Sequence, residues 1–239
     1  MRIRVINPNT TESMTALIEA SARAVAGPGT VVEAVTSGMG PASIESHYDE
    51  ALAVPGILAA VAEPADGYVL ACFGDPGLDA AREVASGPVV GIAEAAMHAA
   101  AMVGRGFSVV TTLSRTKGRA HDLATRYVAA GACRGVHACD IAVLDLEHDP
   151  GARKEVIDLA RHALERDGSD VIVLGCAGMA EFAAAASAEL GVPVVDGVAA
   201  ATVLVESLVR LGLRTSVREE YAPPPPKRYT GLLADFTRS

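Results

Sequence analysis

The sequence predicts an α/β protein of two pseudo-symmetric lobes, each a mainly parallel sheet, made from a duplicated unit with an active site between the lobes. Three observations carry this. Val69-Leu70-Ala71-Cys72-Phe73-Gly74 and Val173-Leu174-Gly175-Cys176-Ala177-Gly178 each run from strand-favouring residues into a cysteine, a glycine-containing turn and an alanine-rich helical segment. That order puts each thiol at the carboxyl end of a strand, where open α/β sheets build their sites. Cys72 and Cys176 stand 104 residues apart, and the same offset carries Ile3-Arg4-Val5-Ile6 onto Phe107-Ser108-Val109-Val110. Pro88-Val89-Val90-Gly91 answers Pro193-Val194-Val195-Asp196 at an offset of 105. Matches in order at nearly one spacing point to duplication. The lobes are expected over residues 1–104 and 105–220, the last helix of the first free to pack on either, with a proline-containing tail over 221–239.

The first strand covers Arg2 to Ile6 and stops at Asn7-Pro8-Asn9, because Pro8 forces Asn7 out of helical geometry. Thr10 or Thr11 then caps a helix from Glu12 to about Ala26. This Asn-Pro-Asn-Thr-Thr loop reads equally as a turn with a cap and as a ligand contact, since it shares the cysteines' edge. Gly27-Pro28-Gly29 turns into a strand over Val31 to Thr36. Ser37 to Ser43 carries two glycines in the manner of a dinucleotide loop, but the third is missing and Pro41 interrupts the helix start. It reads as a flexible edge loop over the site. A helix over Tyr48 to Ala62, broken at Pro55-Gly56, leads to the first cysteine strand. Beyond it Asp75 is expected to cap, and Pro76 to open, a helix through Leu78, Ala81 and Val84. A strand from Val89 to Ile92 precedes the helix around Met97 and Met102, where His98 reads as a packed, hydrogen-bonded histidine.

The second half opens with a strand over Phe107 to Thr111, and Thr111-Thr112-Leu113-Ser114 is the counterpart of the first loop. A helix from Lys117 to about Ala130 carries Arg119, Asp122 and Arg126 on its solvated face. Cys133, His137 and Cys139 fall in a polar turn at a spacing uncommon for zinc, so free thiols are the simpler reading. A strand over Ile141 to Leu146, a helix over Arg153 to Arg166 and the second cysteine strand, Asp170 to Leu174, follow. Asp196 caps the last helix, Val198 to Leu211, and Pro223 to Pro226 extends the chain across a surface.

Half of the 239 residues are hydrophobic, many of them alanine, which suits closely packed helices. The formal charge of −9 argues against nucleic acid as partner, because phosphate binding relies on Lys and Arg. The most apolar helix, Ala93 to Val103, is interrupted by Glu94 and His98 and is too short to cross a bilayer. No charged-then-apolar leader is visible, since Arg2-Ile3-Arg4-Val5-Ile6 already alternates like a strand. The expectation is a cytoplasmic protein with four free thiols and a small-molecule substrate.

A cysteine at a strand tip beside a helix start should have its thiolate favoured by the helix end and by free backbone N–H groups. A single such thiol suggests a nucleophile, which ordinarily needs a histidine, and none is near in sequence. Two symmetric thiols suggest proton transfer. A thiolate on one face of a carbon acid removes its proton while a thiol on the other face returns one. Backbone N–H groups of the Cys-Phe-Gly and Cys-Ala-Gly turns would hold the charge that develops on a carbonyl oxygen. No metal or organic cofactor is required. The competing structural reading is that strand-end cysteines are simply packed.

Asn7-Pro8-Asn9-Thr10-Thr11, Gly40-Pro41-Ala42-Ser43-Ile44-Glu45, the run Ala71 to Arg82, Val109 to Ser114 and Leu174 to Met179 together resemble the hydantoin racemase family of the aspartate/glutamate racemase superfamily. The likeness runs end to end, through Asp196 to Ala201 and Tyr221-Ala222-Pro223. It implies cofactor-independent racemisation at C5 of 5-substituted hydantoins, allantoin included, by the cysteines matching Cys72 and Cys176, in a homo-oligomer. One departure bears on the substrate. Many hydantoin racemases read Cys-Phe-Asp-Asp-Thr-Gly where this chain has Cys72-Phe73-Gly74-Asp75-Pro76-Gly77.

Asn9 and Thr112, on matching loops, are the expected substrate hydrogen-bonders, with Ser43 beside them. Phe73 would pack on the ring, and Gly74, Ala177 and Gly178 would line it from the turns. Three alternatives stay open. An aspartate or glutamate racemase would want a cationic anchor, for which only Arg115 is near. An isomerase working through a covalent cysteine adduct would use the two thiols unequally. A non-catalytic sensor would keep the pocket without the reaction.

Overall fold

The computed structural model describes residues 1–146 and 148–238. The first half holds β1 (Arg2–Asn7), α1 (Glu12–Val25), β2 (Val31–Thr36), α2 (His47–Val61), β3 (Gly67–Leu70), α3 (Leu78–Val84), β4 (Val89–Gly91) and α4 (Ile92–Val103). The second holds β5 (Phe107–Thr111), α5 (Lys117–Tyr127), β6 (Cys133–Ala138), α6 (Ala152–Asp167), β7 (Val171–Leu174), α7 (Ala183–Leu190), β8 (Val194–Asp196) and α8 (Gly197–Arg210).

Both sheets are four-stranded and parallel, ordered β2-β1-β3-β4 and β6-β5-β7-β8, so the two halves share one topology. β3 (Gly-Tyr-Val-Leu) and β7 (Val-Ile-Val-Leu) are buried at every position, as a strand covered on both faces must be. Backbone bonds beyond the strands repeat as well. Ala71 N–H donates to the Ile6 carbonyl and Gly175 N–H to that of Val110; Asp75 N–H donates to Cys72 and Met179 N–H to Cys176. Each pair is related by the 104-residue offset.

The halves exchange helices. α4 packs on β7 and α5 of the second half, while α8 packs on β1, β3 and β4 of the first. One core therefore runs through both, joining Ile3, Val5 and Val69 to Phe107, Val109 and Val173 through Ala96 and Met97 of α4 and Val198 and Ala201 of α8. The first residues of α4 and α8 meet closely enough that a Cβ on Gly197 would lie 2.6 Å from the Ile92 carbonyl oxygen. Small residues are what allow that approach.

Several sequence expectations change. α2 runs unbroken through Pro55, its packed face holding it together, and Gly56 is needed because a side chain there would collide with Ser37 and Met39. Asp75 does not cap α3, whose N-cap is Gly77 at φ 65°; it serves α4 instead. α5 ends at Tyr127. His98 packs beside the Tyr127 ring, with no hydrogen bond among the described residues. The second strand of the second half is Cys133–Ala138, not Ile141 to Leu146. As the edge strand it leaves Arg134 exposed, and His137 meets Asp167 at 2.6 Å, so its polar residues read as a turn. Ile141 to Leu146 is an irregular segment that buries Val143 and Leu146.

Candidate active site

Cys72 and Cys176 each lie two residues beyond a central strand, β3 and β7, and both open into one cavity of about 190 Å³ between the sheets' carboxyl ends. Each thiol faces the backbone N–H two residues on, Gly74 for Cys72 and Gly178 for Cys176. These two amides serve the sulfurs.

The thiols are not acidic. Burial pushes the Cys72 thiol up to about 12 against the pull of the Gly74 N–H, and the negative charge of Glu50 adds to the rise. Burial likewise raises Cys176 to about 11 against the Gly178 N–H, with smaller contributions from Cys139 and Glu45. The expected lowering fails because neither cysteine directly precedes an α-helix. Cys72 is separated from α3 by a turn ending at Gly77, and Cys176 is followed by a 3₁₀ segment over Ala177–Phe182. Little helix dipole remains to offset the loss of water. Both residues are only half-buried by area, since they face a cavity that is partly open to solvent.

Asn9 and Thr112 both line the cavity, from the loops after β1 and β5. The backbone N–H of Thr11 donates to Asn9 Oδ1 at 2.9 Å, which fixes the amide's orientation, and Asn7 Nδ2 donates to the same oxygen at 2.8 Å. Asn9 Nδ2 has no protein acceptor among the described residues and is free to donate into the cavity. The Thr112 carbonyl is occupied by the N–H of Asp140 at 2.7 Å, while its hydroxyl has no partner among the described residues. Phe73, Gly74 and Ala177 line the cavity as expected. Gly178 and Ser43 do not: Gly178 is buried behind its cysteine, and Ile44 and Ser46 take the wall beside Ser43. The segment carrying Ser43 is also tied down, since Thr11 Oγ1 donates to the Ala42 carbonyl at 2.7 Å and Thr10 N–H to that of Pro41 at 3.0 Å.

Three charged residues stand in the wall: Arg119, which the sequence reading places on a solvated face, Glu50, which it does not single out, and Arg115, the one cation it notes near the loops. Arg119 leaves α5 to donate from Nε at 3.0 Å and Nη2 at 2.6 Å to the Gly74 carbonyl, beside the Cys72 turn. Glu50, from the first turns of α2, stands 3.5 Å from Arg119 Nε. Arg115 lines the cavity at its exposed rim. The only available signal was position: Arg115 and Arg119 are four apart at the start of the helix that follows a site loop, so they share its site-facing side. A second contact closes the opposite side, where Glu45 Oε1 accepts from the Val143 N–H at 3.0 Å. Among the described residues no group of three or more His, Cys, Asp or Glu side chains is arranged to hold a metal, and no helix is long and apolar enough to cross a membrane.

Residues 3–205 match the family model described as Asp/Glu/Hydantoin racemase. The chain is 46% identical to the hydantoin racemase of Pseudomonas sp. strain NS671 over 100% of its own length and 98% of that protein's. Its structure superposes on allantoin racemase from Klebsiella pneumoniae with a TM-score of 0.96 at 51% identity, covering 99% of each chain. The corresponding values for allantoin racemase from Pseudomonas fluorescens are 0.93 and 42%, over 97% of this chain and 100% of that one. Arylmalonate decarboxylase, at 21% identity and a TM-score of 0.63, shares the fold. With the duplicated parallel sheets and a cysteine from each half at one cavity, these matches identify the chain as a member of the Asp/Glu/hydantoin racemase family.

Proposed function

We propose that this protein racemises 5-substituted hydantoins at C5, with Cys72 and Cys176 as the two proton-transfer groups. The observation that carries the reading is that one thiol from each half opens into a single cavity, each with a backbone N–H at its sulfur. A hydantoin ring lying between the sulfurs presents its C5–H to one of them. That sulfur, as thiolate, takes the proton, and the opposite thiol delivers its own to the other face. The charge then rests on the sulfur that gave its proton, ready for the reverse passage.

An ionised Cys176 adds to the cost of ionising Cys72, which disfavours the doubly deprotonated pair; two-base inversion uses the form with one thiolate and one thiol. The free Asn9 Nδ2 and the Thr112 hydroxyl are suited to the ring carbonyl that takes up negative charge when C5 is deprotonated. The 1–104 and 105–220 halves each contribute one thiol and one such donor. We place the activity in the cytoplasm and in a homo-oligomer, for which exposed Met102, Val103 and Leu211 at the ends of α4 and α8 supply apolar surface.

The test is decay of optical rotation of enantiopure allantoin and 5-benzylhydantoin in deuterium oxide. Wild type should lose rotation as deuterium enters C5. Cys72→Ser and Cys176→Ser should each lose racemisation while retaining exchange of one enantiomer. Rotation that persists with both substrates would overturn the hydantoin reading. A second reading, racemisation of an acidic amino acid, is favoured by Arg115 at the rim, but Glu50 in the same wall repels a second carboxylate.

A further inference from the structure

Glu50 is the one acid among the described residues that line the cavity. Its side chain is 19% exposed, and its nearest basic groups are Arg119 Nε at 3.5 Å and His47 Nδ1 at 3.6 Å, both too long for a full hydrogen bond. Neither group is committed to it. Arg119 spends its Nε and Nη2 protons on the Gly74 carbonyl, and His47 is 81% exposed. No hydrogen-bond donor reaches either carboxylate oxygen among the described residues. Its oxygens are open to the cavity rather than sealed in the core, so a bound ligand can supply the donors that the protein does not.

Its position says which part of a ligand would do so. A Cβ on Gly74 would collide with Glu50 Oε1, so the absence of a side chain at 74 is what lets this carboxylate reach the Cys72 turn. Glu50 lines the same cavity as both sulfurs and borders the Cys72 turn at Gly74, so it is within reach of a substituent on a carbon held between the sulfurs. Arg115, exposed at the rim and without an ion pair among the described residues, offers donors to the same region.

We propose that Glu50 is a specificity-determining residue whose carboxylate accepts the N–H groups of a polar C5 substituent, favouring ureido- or amide-bearing hydantoins over aryl-bearing ones. This rests on the racemase reading above. An aryl group in this position would cover the carboxylate and leave it without donors, whereas a ureido group supplies N–H groups to Glu50 and a carbonyl to Arg115. A site built for a hydrogen-bonding group rejects an analogue that lacks it.

The test is the ratio of kcat/KM for enantiopure allantoin to that for 5-benzylhydantoin, in wild type, Glu50→Gln and Glu50→Leu. Folded fraction and any general effect of the Glu50 charge on Cys72 reactivity divide out of this ratio. The ratio should fall tenfold to a hundredfold in Glu50→Leu, as expected for loss of hydrogen bonds to a charged acceptor, and at least fivefold in Glu50→Gln. A fall smaller than fivefold in Glu50→Leu overturns the proposal while wild-type racemisation stands. A wild type that racemises neither hydantoin overturns the racemase reading, and this inference with it.

Discussion

The carboxyl group of Asp75 occupies the space that a side chain on Gly91 would fill. Its oxygens accept from the N–H groups of Ala93 at 3.2 Å and Glu94 at 2.9 Å, and from the Tyr127 hydroxyl at 3.0 Å. In the second half the equivalent of Gly91 is Asp196, which caps α8 itself through the N–H groups of Val198 and Ala199, both at 3.0 Å. The same helix end is thus capped locally in one repeat and from the cysteine turn in the other.

The first prediction follows from this exchange. Asp75→Ala strips three hydrogen bonds from a buried site and should lower stability by about 1–3 kcal/mol. Gly91 has φ −83° and ψ 148°, close to the −86° and 128° of Asp196, so an aspartate there meets no backbone obstacle. Asp75→Ala combined with Gly91→Asp should recover at least half of the loss in urea denaturation. Additive losses in the double variant would show that the cap is not transferable.

Asp75 also makes stability depend on pH. Burial raises its carboxyl from 3.8 to about 7, against the Glu94, Ala93 and Tyr127 hydrogen bonds. Between those values the folded chain holds a proton that the unfolded chain has released, so this group's contribution to stability is fully present below about pH 4 and is lost as pH rises towards 7. Asp75→Asn keeps the shape and cannot titrate. Wild type minus Asp75→Asn should therefore give an unfolding free energy that declines from pH 4 to 7 and is level above it, and a level difference throughout would refute the raised value.

The raised thiols set the pH dependence of the proposed reaction. With both thiols well above neutrality, the form holding one thiolate is scarce at pH 7 and grows as pH rises. After correction for ionisation of the substrate, kcat/KM should climb about tenfold per unit from pH 7 to 9. A plateau in that interval would mean that a bound substrate or a neighbour lowers one thiol far below its value in the free protein.

Arg119 is expected to act as a positioning residue through the Gly74 carbonyl. It crosses between the halves to the residue two beyond Cys72, and no side chain makes the equivalent bond to the Gly178 carbonyl among the described hydrogen bonds. Arg119→Lys keeps the charge but not the two-pronged donation, so it should lose about tenfold or more in kcat/KM, nearly as much as Arg119→Met. Rates of racemisation in the two directions are tied by an equilibrium constant of one, so asymmetry is read in deuterium exchange. One enantiomer should lose exchange several-fold more than the other, whereas a merely structural defect would slow both alike.

What could be read from the chain and what could not divides along physical lines. The central strands, the duplication and both cysteines were legible because buried parallel strands are continuous apolar runs and because the offset repeats in order. β6 was not, since an edge strand with Arg134 and His137 has the composition of a turn, while Ile141 to Leu146 alternates like a strand yet serves as a loop over the cavity. Arg119 and Glu50 lay on helices whose charged positions look the same facing solvent or facing the other half. The Asp75 cap was hidden because its helix begins seventeen residues downstream, and local capping rules look only a few residues ahead.

Glu45 offers a last test, because its two effects on the site can be separated. Its Oε1 holds the Val143 N–H at 3.0 Å, pinning the Ile141 to Leu146 segment across the cavity, and its charge contributes to the raised Cys176 thiol. Glu45→Gln retains an acceptor oxygen and loses the charge, whereas Glu45→Ala loses both. If the charge matters at the sulfur, both variants should move the rising limb of the pH profile to lower pH by a few tenths of a unit. If the hydrogen bond holds the segment, only Glu45→Ala should raise KM, by about threefold to tenfold, the loss expected for one hydrogen bond of modest net strength. Equal KM values in the two variants would mean that Val143 is held by its burial in the core rather than by Glu45.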